Sequence, residues 1–248
     1  MPVTVNLMNT VLNADVNFKI MKYDLIIVSQ SKHDLIQVTQ NCIDSARQDN
    51  ADLNIIIVET YFLTAYDNIN KNIKYEGEFN YNRALNLGLK HCEGDVHILA
   101  NNDLIFHKGW SQIGDLMISN GYHSASILSQ DAKGFQRGDF VYEGYEIGKY
   151  ITGWCIFLDN YVLDKIGQLD ESVSFWYSDD LYACQLKAAG IKHGLFCNLQ
   201  IDHIISRTLV AQSVHMQRKY QLLEHSKYLQ RQMYYGAGTR KGMHKVNS

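Results

Sequence analysis

Two stretches of this sequence carry oxygen-rich side chains at spacings that could do chemistry. The first is DVHILANNDLIF, Asp95 to Phe106, where an apolar run with Val96, Ile98 and Leu99 ends in Asn101-Asn102-Asp103. A core strand has no use for three polar side chains at its tip unless the chain surfaces there. In α/β sheets the carboxyl ends of strands are where ligands bind, so this tip suggests a metal or a polar ligand. As a bare pattern the same residues also make a turn with side-chain caps. The second stretch is WYSDDLYACQL, which sets Asp179-Asp180 at the start of a helical pattern. A carboxylate can remove a proton from a hydroxyl, and acidic residues also simply favour a helix N-terminus.

The elements that must position these groups follow from hydrophobic period. YDLIIVSQ (Tyr23 to Gln30) and LNIIIVET (Leu53 to Thr60) are β-branched runs of strand length, and the segment between them places Leu35, Val38, Cys42, Ile43 and Ala46 at helical spacing. This is a β-α-β unit with a right-handed connection. NYNRALNLGLKHC then supplies a helix through Ala84, Leu85, Leu87 and Leu89, and EGD turns the chain into a third parallel strand ending at Asn101-Asn102-Asp103. The first half is therefore an open, mostly parallel sheet with a nucleotide-type crevice at its carboxyl edge. After Trp110 the alternation loosens. SQDAKGFQRGDFVYEGYEIGKY reads as a loop or hairpin, ITGWCIFLDN as a strand, and YVLDKIGQLD as a short helix and turn. SDDLYACQLKAAG reads as a helix opened by a Ser or Asp cap and closed by Gly190. HGLFCNLQIDH is expected to be one last strand ending at His203, and QRKYQLLEHSKYLQRQMYYG an amphipathic helix before a loose tail.

With 248 residues and 46% hydrophobic content the chain can bury a full core in one main domain. No run approaches the roughly 18 apolar residues of a membrane span, and the first twenty residues lack the pattern of a signal peptide. The expectation is a soluble, cytoplasmic protein. The five cysteines, Cys42, Cys92, Cys155, Cys184 and Cys197, show no C-x-x-C pair and suggest neither a zinc site nor a disulfide framework. The net charge of −3 is unevenly spread. From His203 onward eight basic residues face one acid, Glu224, which leaves −10 on the rest. Such an end is either a solvated helix and tail or a contact surface for a polyanion or an anionic membrane.

HCEGDVHILANNDLIF, the GWCIFLDN…WYSDDLYACQLKAAGIKHG segment and IDH, in that order, resemble the family 2 glycosyltransferases, particularly small phage and bacterial members. The resemblance spans about Tyr23 to His203 and implies a GT-A fold. That is a mostly parallel open sheet flanked by helices over residues 1–205, with an N-terminal extension (1–22) and a basic C-terminal helix and tail (206–248). It further implies a metal-dependent, inverting transfer of a sugar from a nucleoside-diphosphate sugar, UDP-linked in the first instance, to an acceptor hydroxyl. Mn²⁺ or Mg²⁺ would be held by Asp103, where the family has Asp-x-Asp, and by His203, with Asp202 a weaker candidate. The base aligns with Asp179, Asp180 being the rival. Donor contacts fall by position on Ser29, Gln30, Glu59, Arg83, Asn101, Asn102 and Trp154. Acceptor contacts fall on Trp176 and, if the acceptor is a hydroxymethylated pyrimidine in phage DNA, on Arg218, Lys219, Lys227 and Arg231. A surface glycan or lipid-linked saccharide is the alternative acceptor. A non-catalytic sugar- or nucleotide-binding module is the rival of another class, motivated by the replacement of family carboxylates by Asn101 and Ser178.

Overall fold

The structure is a computed structural model that describes residues 4–6, 21–129, 134–204 and 214–243. Within these, the side chains of 4–6, 33–34, 214–220 and 237–243 lie outside the description. The chain opens with β1 (Thr4–Asn6), β2 (Tyr23–Ser29), α1 (His33–Arg47), β3 (Asn54–Glu59) and β4 (Lys71–Lys74). It continues with α2 (Tyr81–Leu89), β5 (Val96–Asn101), β6 (Leu104–Phe106), a single 3₁₀ turn and α3 (Ile113–Ser119). Then come β7 (Ser124–Ile127), β8 (Phe140–Glu143), β9 (Cys155–Asp159), α4 (Asn160–Ile166) and α5 (Ser178–Ala189). β10 (His193–Phe196), β11 (Ile201–His203) and α6 (Val214–Met243) complete it.

Nine strands form one sheet in the order β1-β8-β10-β7-β9-β5-β2-β3-β4, and β11 and β6 form a separate two-stranded ribbon. β5, β2, β3 and β4 run parallel, as the β-α-β spacing requires, and β9 enters antiparallel to both β5 and β7. Alternation along β2 feeds both faces. Leu25 and Ile27 join the cluster around α1 and Trp110, while Ile26 and Val28 join the cluster under α2, α4 and α5. A sheet buried on both sides needs such continuous apolar runs. The parallel half therefore presents its strand tips, Ser29, Glu59 and Asn101, along one edge.

Three expectations change. HGLFCNLQIDH is not one strand: β10 stays in the large sheet beside β7, and β11 leaves it to pair antiparallel with β6. α5 is closed by Gly190 in the left-handed region, as expected, but no Ser or Asp caps its start. The N-cap is Tyr177, at φ 67°. The C-terminal helix is longer than its apolar pattern, running from Val214 to Met243 and packing along α5.

Candidate active site

The tip of β5 is built by a short detour. After Asn101 the chain bends through Asn102 and Asp103 and enters β6, whose partner β11 sets His203 opposite Leu104. The Ile204 amide donates to the Asp103 carbonyl at 2.8 Å, closing the register. As a result His203 Nε2 and Asp103 Oδ1 lie 3.1 Å apart. Both atoms are buried, and neither has a hydrogen-bond partner. A buried polar atom without a partner is costly, so two that converge need an account. Adjacent ligands on an octahedral cation with bonds of about 2.1 Å stand about 3.0 Å apart, which this pair matches. The carboxylate and imidazole therefore fit a divalent cation. Trp154 stacks on the His203 ring, centroids 5.4 Å apart and planes 14° apart, and fixes its direction. The Trp154 carbonyl in turn accepts from Asn101 N at 2.9 Å. Asp202 points to a different partner, His107 Nε2 at 2.7 Å.

A second cluster of ligand-type atoms, Asp24, Cys92 and His97, lies at the opposite, amino ends of β2 and β5. There Asp24 accepts from Gly94 N, Asn54 Nδ2 and His97, while the other His97 nitrogen meets Asn160. The aspartate and histidine are fully engaged in pinning strand ends, which is a structural role.

The polar residues on the donor side form one chain of hydrogen bonds. Asn102 Nδ2 donates to Thr39 Oγ1 (2.9 Å), and Thr39 meets Ser29 Oγ (3.1 Å). Ser29 then meets Tyr66 OH (3.3 Å), and Tyr66 donates to Glu59 Oε1 (2.8 Å). Glu59 Oε2 accepts from Ser31 N at 3.1 Å. Ser29, Glu59 and Asn102 thus come together as the sequence placed them, but this network engages both oxygens of the fully buried Glu59. Burial, with Glu59 close by, pushes the Tyr66 phenol up to about 12. Thr39 and Tyr66 were invisible in the sequence, because nothing local marks a helix threonine or a loop tyrosine as a strand-tip brace. At the mouth of this side Tyr61 and Phe62 stand exposed in edge-to-face contact, 4.3 Å between centroids. Gln30, which follows Ser29 at the end of β2, is half-buried. Arg83 points away from the tip: half exposed, it donates to Glu171 Oε2 at 2.8 Å.

Asp179 opens α5 against the turn before β9. Its Oδ2 would lie 2.2 Å from a Cβ placed on Gly153, so only glycine lets the carboxylate approach this closely. Together with Tyr81, Leu99 and Tyr182 the two residues line a cavity of about 20 Å³, room for about one water. Burial, then the neighbouring charge of Asp180, raises the Asp179 pKa to about 6. Asp180 is also raised, chiefly by burial. Tyr81 links the two halves of the site. Its hydroxyl donates to Asn101 Oδ1 at 2.8 Å. Its pKa is pushed up, first by burial, with Cys155, Asp179 and Asp103 all within electrostatic reach.

α6 braces the approach to Asp179. Buried Glu224 accepts from Ser174 N (2.6 Å) and Phe175 N (3.2 Å), and Tyr228 stacks flat on Tyr177, 4.9 Å between centroids. Arg231 and Tyr235 both donate to Asp170 Oδ2, at 2.6 and 2.7 Å. Arg231, expected on an acceptor phosphate, is thus committed to an internal carboxylate, which explains its inward position. Lys227 is exposed, and the side chains of Arg218 and Lys219 lie outside the described residues. Trp176 is half-buried, edge-on to Phe175. Between α5, α6 and the 145–150 loop runs a groove of about 410 Å³, lined by Tyr145, Glu146, Tyr150, Asp180, Tyr228 and Gln232 among others.

No protein-family model and no curated protein matches the sequence. Solved structures do match. A mannosyltransferase from Pyrobaculum calidifontis, PcManGT, solved with GDP-Man and Mn²⁺, superposes with a TM-score of 0.59 at 11% identity, over 82% of this chain and 61% of that one. The fold is GT-A. GalNAc-T7 with UDP, GalNAc and Mn²⁺ superposes on the same GT-A sheet with a TM-score of 0.59, 11% identity, 75% of this chain and 44% of that one. TarS 1-349 of S. aureus with UDP-GlcNAc gives 0.57, 10%, 78% and 62%. The chain spans less than two thirds of the length of each of these three proteins.

Proposed function

We propose that this GT-A chain is a metal-dependent glycosyltransferase that moves a sugar from a nucleoside-diphosphate sugar to a hydroxyl of a saccharide acceptor, with inversion. The observation that carries the reading is the unpartnered Asp103–His203 pair at a GT-A strand tip. Asp179, an aspartate more basic than usual, stands across Tyr81 from that pair. Asp103 and His203 would hold Mn²⁺ or Mg²⁺, which when bound would supply positive charge to the donor diphosphate. Tyr61 and Phe62 offer the nucleobase an exposed aromatic surface.

The chemistry left to the chain's own residues is proton removal and orientation. With a pKa of about 6, Asp179 is ionised at neutral pH, yet holds a proton better than an exposed aspartate does. It takes the proton of the acceptor hydroxyl as that oxygen forms its bond to the anomeric carbon and the bond to the diphosphate oxygen breaks. Gly153 sets how deeply the carboxylate sits, and the α6 brace sets where α5 begins.

The acceptor reading rests on the groove beside Asp180. Three tyrosines, an amide and carboxylates suit sugar faces and hydroxyls. Duplex DNA, the acceptor favoured by the basic sequence end, would bring phosphates against Glu146 and Asp180 with a single lysine, Lys187, in the lining, and Arg231 is already paired. The experiment is release of nucleoside diphosphate from UDP- and GDP-sugars with and without Mn²⁺, in the presence of saccharides or of modified duplex. Mn²⁺-dependent release that oligosaccharides stimulate supports the reading. Stimulation by duplex alone moves the acceptor to DNA, and donor binding without any release moves the protein to the class of non-catalytic binders.

A further inference from the structure

α6 turns Glu224, Tyr228, Arg231 and Tyr235 inward and Leu222, Leu229 and Met233 outward. Glu224, Tyr228, Arg231 and Tyr235 recur at i, i+4, i+7 and i+11 and make the contacts to the 170–177 segment described above. On the other side Leu222, Leu229 and Met233, seven and four residues apart, form a second line, 74, 41 and 67% exposed. Leu223 and Tyr234 flank it at 57 and 64%. A single exposed leucine is ordinary, but a line of large apolar side chains along the solvent side of a helix marks a contact surface. The charge on the same helix has one sign. Its only acid is Glu224, which is buried against Ser174 and Phe175, while Arg218, Lys219, Lys227, Arg240 and Lys241 are all basic.

We infer that this face docks on an anionic lipid bilayer, the aliphatic line entering the boundary between headgroups and acyl chains and the basic residues meeting lipid phosphates. α6 is not apolar enough to cross a membrane, so the helix lies along the interface. Two other occupants fit the face less well. A second copy in two-fold contact through this helix would set one basic surface against another. Duplex DNA would match the charge but offers phosphates, not hydrocarbon, to the Leu222–Met233 line. The inference stands apart from the proposed transferase activity, since the outward side chains are not those that brace Asp179.

The test is flotation of the full chain with vesicles of phosphatidylcholine alone or mixed with phosphatidylglycerol. The protein is expected to float with the anionic vesicles and not with the neutral ones. Leu222→Ser/Leu229→Ser/Met233→Ser is expected to lower partition by roughly tenfold or more, and Lys227→Gln by about fivefold, each with an unchanged melting temperature because these side chains are solvent-exposed. Absent flotation, or equal flotation of wild type and both variants, overturns the inference. A dimer seen by light scattering that the triple substitution dissolves would overturn it too, as would salt-sensitive binding of duplex DNA in place of lipid.

Discussion

Replacing Asp179 by asparagine removes the proposed base and also removes a destabilising charge, and the second effect can be sized from the structure. Burial and Asp180 lift the carboxyl from 3.8 to about 6. A folded-state pKa above the unfolded value means that the native state binds the proton more tightly. The associated stability is fully present below about pH 4 and is lost as pH rises through about 6. The shift of about two pKa units corresponds to at most about 3 kcal/mol at pH 7.5, and to about half of that at pH 5. Asparagine keeps the shape and carries no charge, so Asp179→Asn is expected to melt above wild type at pH 7.5. For a chain of this size even half the full effect raises Tm by about 3 to 6 °C. The advantage should shrink toward pH 5 and vanish near pH 4. Transfer should fall by about 10² or more, because an amide cannot accept the proton. Thermal melts of both proteins across that pH range, beside a product assay, check the pair of effects. An advantage that does not depend on pH, a variant less stable than wild type at pH 7.5, or one that retains transfer, would refute the reasoning.

Asp103→Ala is expected to abolish the Mn²⁺-induced rise in Tm and to weaken Mn²⁺-dependent donor binding by at least about tenfold, read by calorimetry, since it removes the only carboxylate of the unpartnered pair. Gly153→Ala forces Asp179 Oδ2 out of a 2.2 Å overlap. It should cost about 1 to 3 kcal/mol of stability and lower kcat about a hundredfold with little change in donor affinity. Glu224→Ala strands the Ser174 and Phe175 amides. A loss of about 2 to 4 kcal/mol in denaturant melts is expected, with kcat falling more than KM for the donor, and Glu224→Gln should recover part of both.

The parallel half of the sheet was legible because its signals are local. Ile26, Ile55, Ile56 and Ile98 sit in β-branched runs, α1 and α2 have regular apolar spacing, and the change from Ala100 to Asn101 marks the strand tip. Asp103, His203 and Asp179 are singled out by motif order, and the structure adds how they are positioned. What escaped is long-range. The start of α5 is set by Glu224 and Tyr228, some fifty residues downstream, so the Ser-Asp-Asp at its head looked like an ordinary cap. β11 was merged with β10 because a turn at Asn198–Gln200 is short and flanked by apolar residues, and its pairing with β6 has no sequence signature. The edge strand β1 and its neighbour β8 are too short to stand out from loops. Arg83 and Arg231 are expected on donor and acceptor phosphates because nothing local in the sequence shows their partners, Glu171 and Asp170, which lie far away along the chain.

The left-handed backbone at Tyr177 has a consequence in time. A non-glycine residue at φ 67° persists only where its surroundings over-determine it, and here Tyr228, with Glu224 fixing Ser174 and Phe175, supplies that constraint. Those residues leave the ribosome after every strand of the sheet has been made. A nascent chain can thus assemble the whole sheet, the Asp103–His203 pair included, while the helix that carries Asp179 still lacks its fixed starting point. The start of α5 is therefore fixed by residues made some fifty positions later, and a chain halted before Glu224 is expected to hold the sheet while α5 lacks that brace.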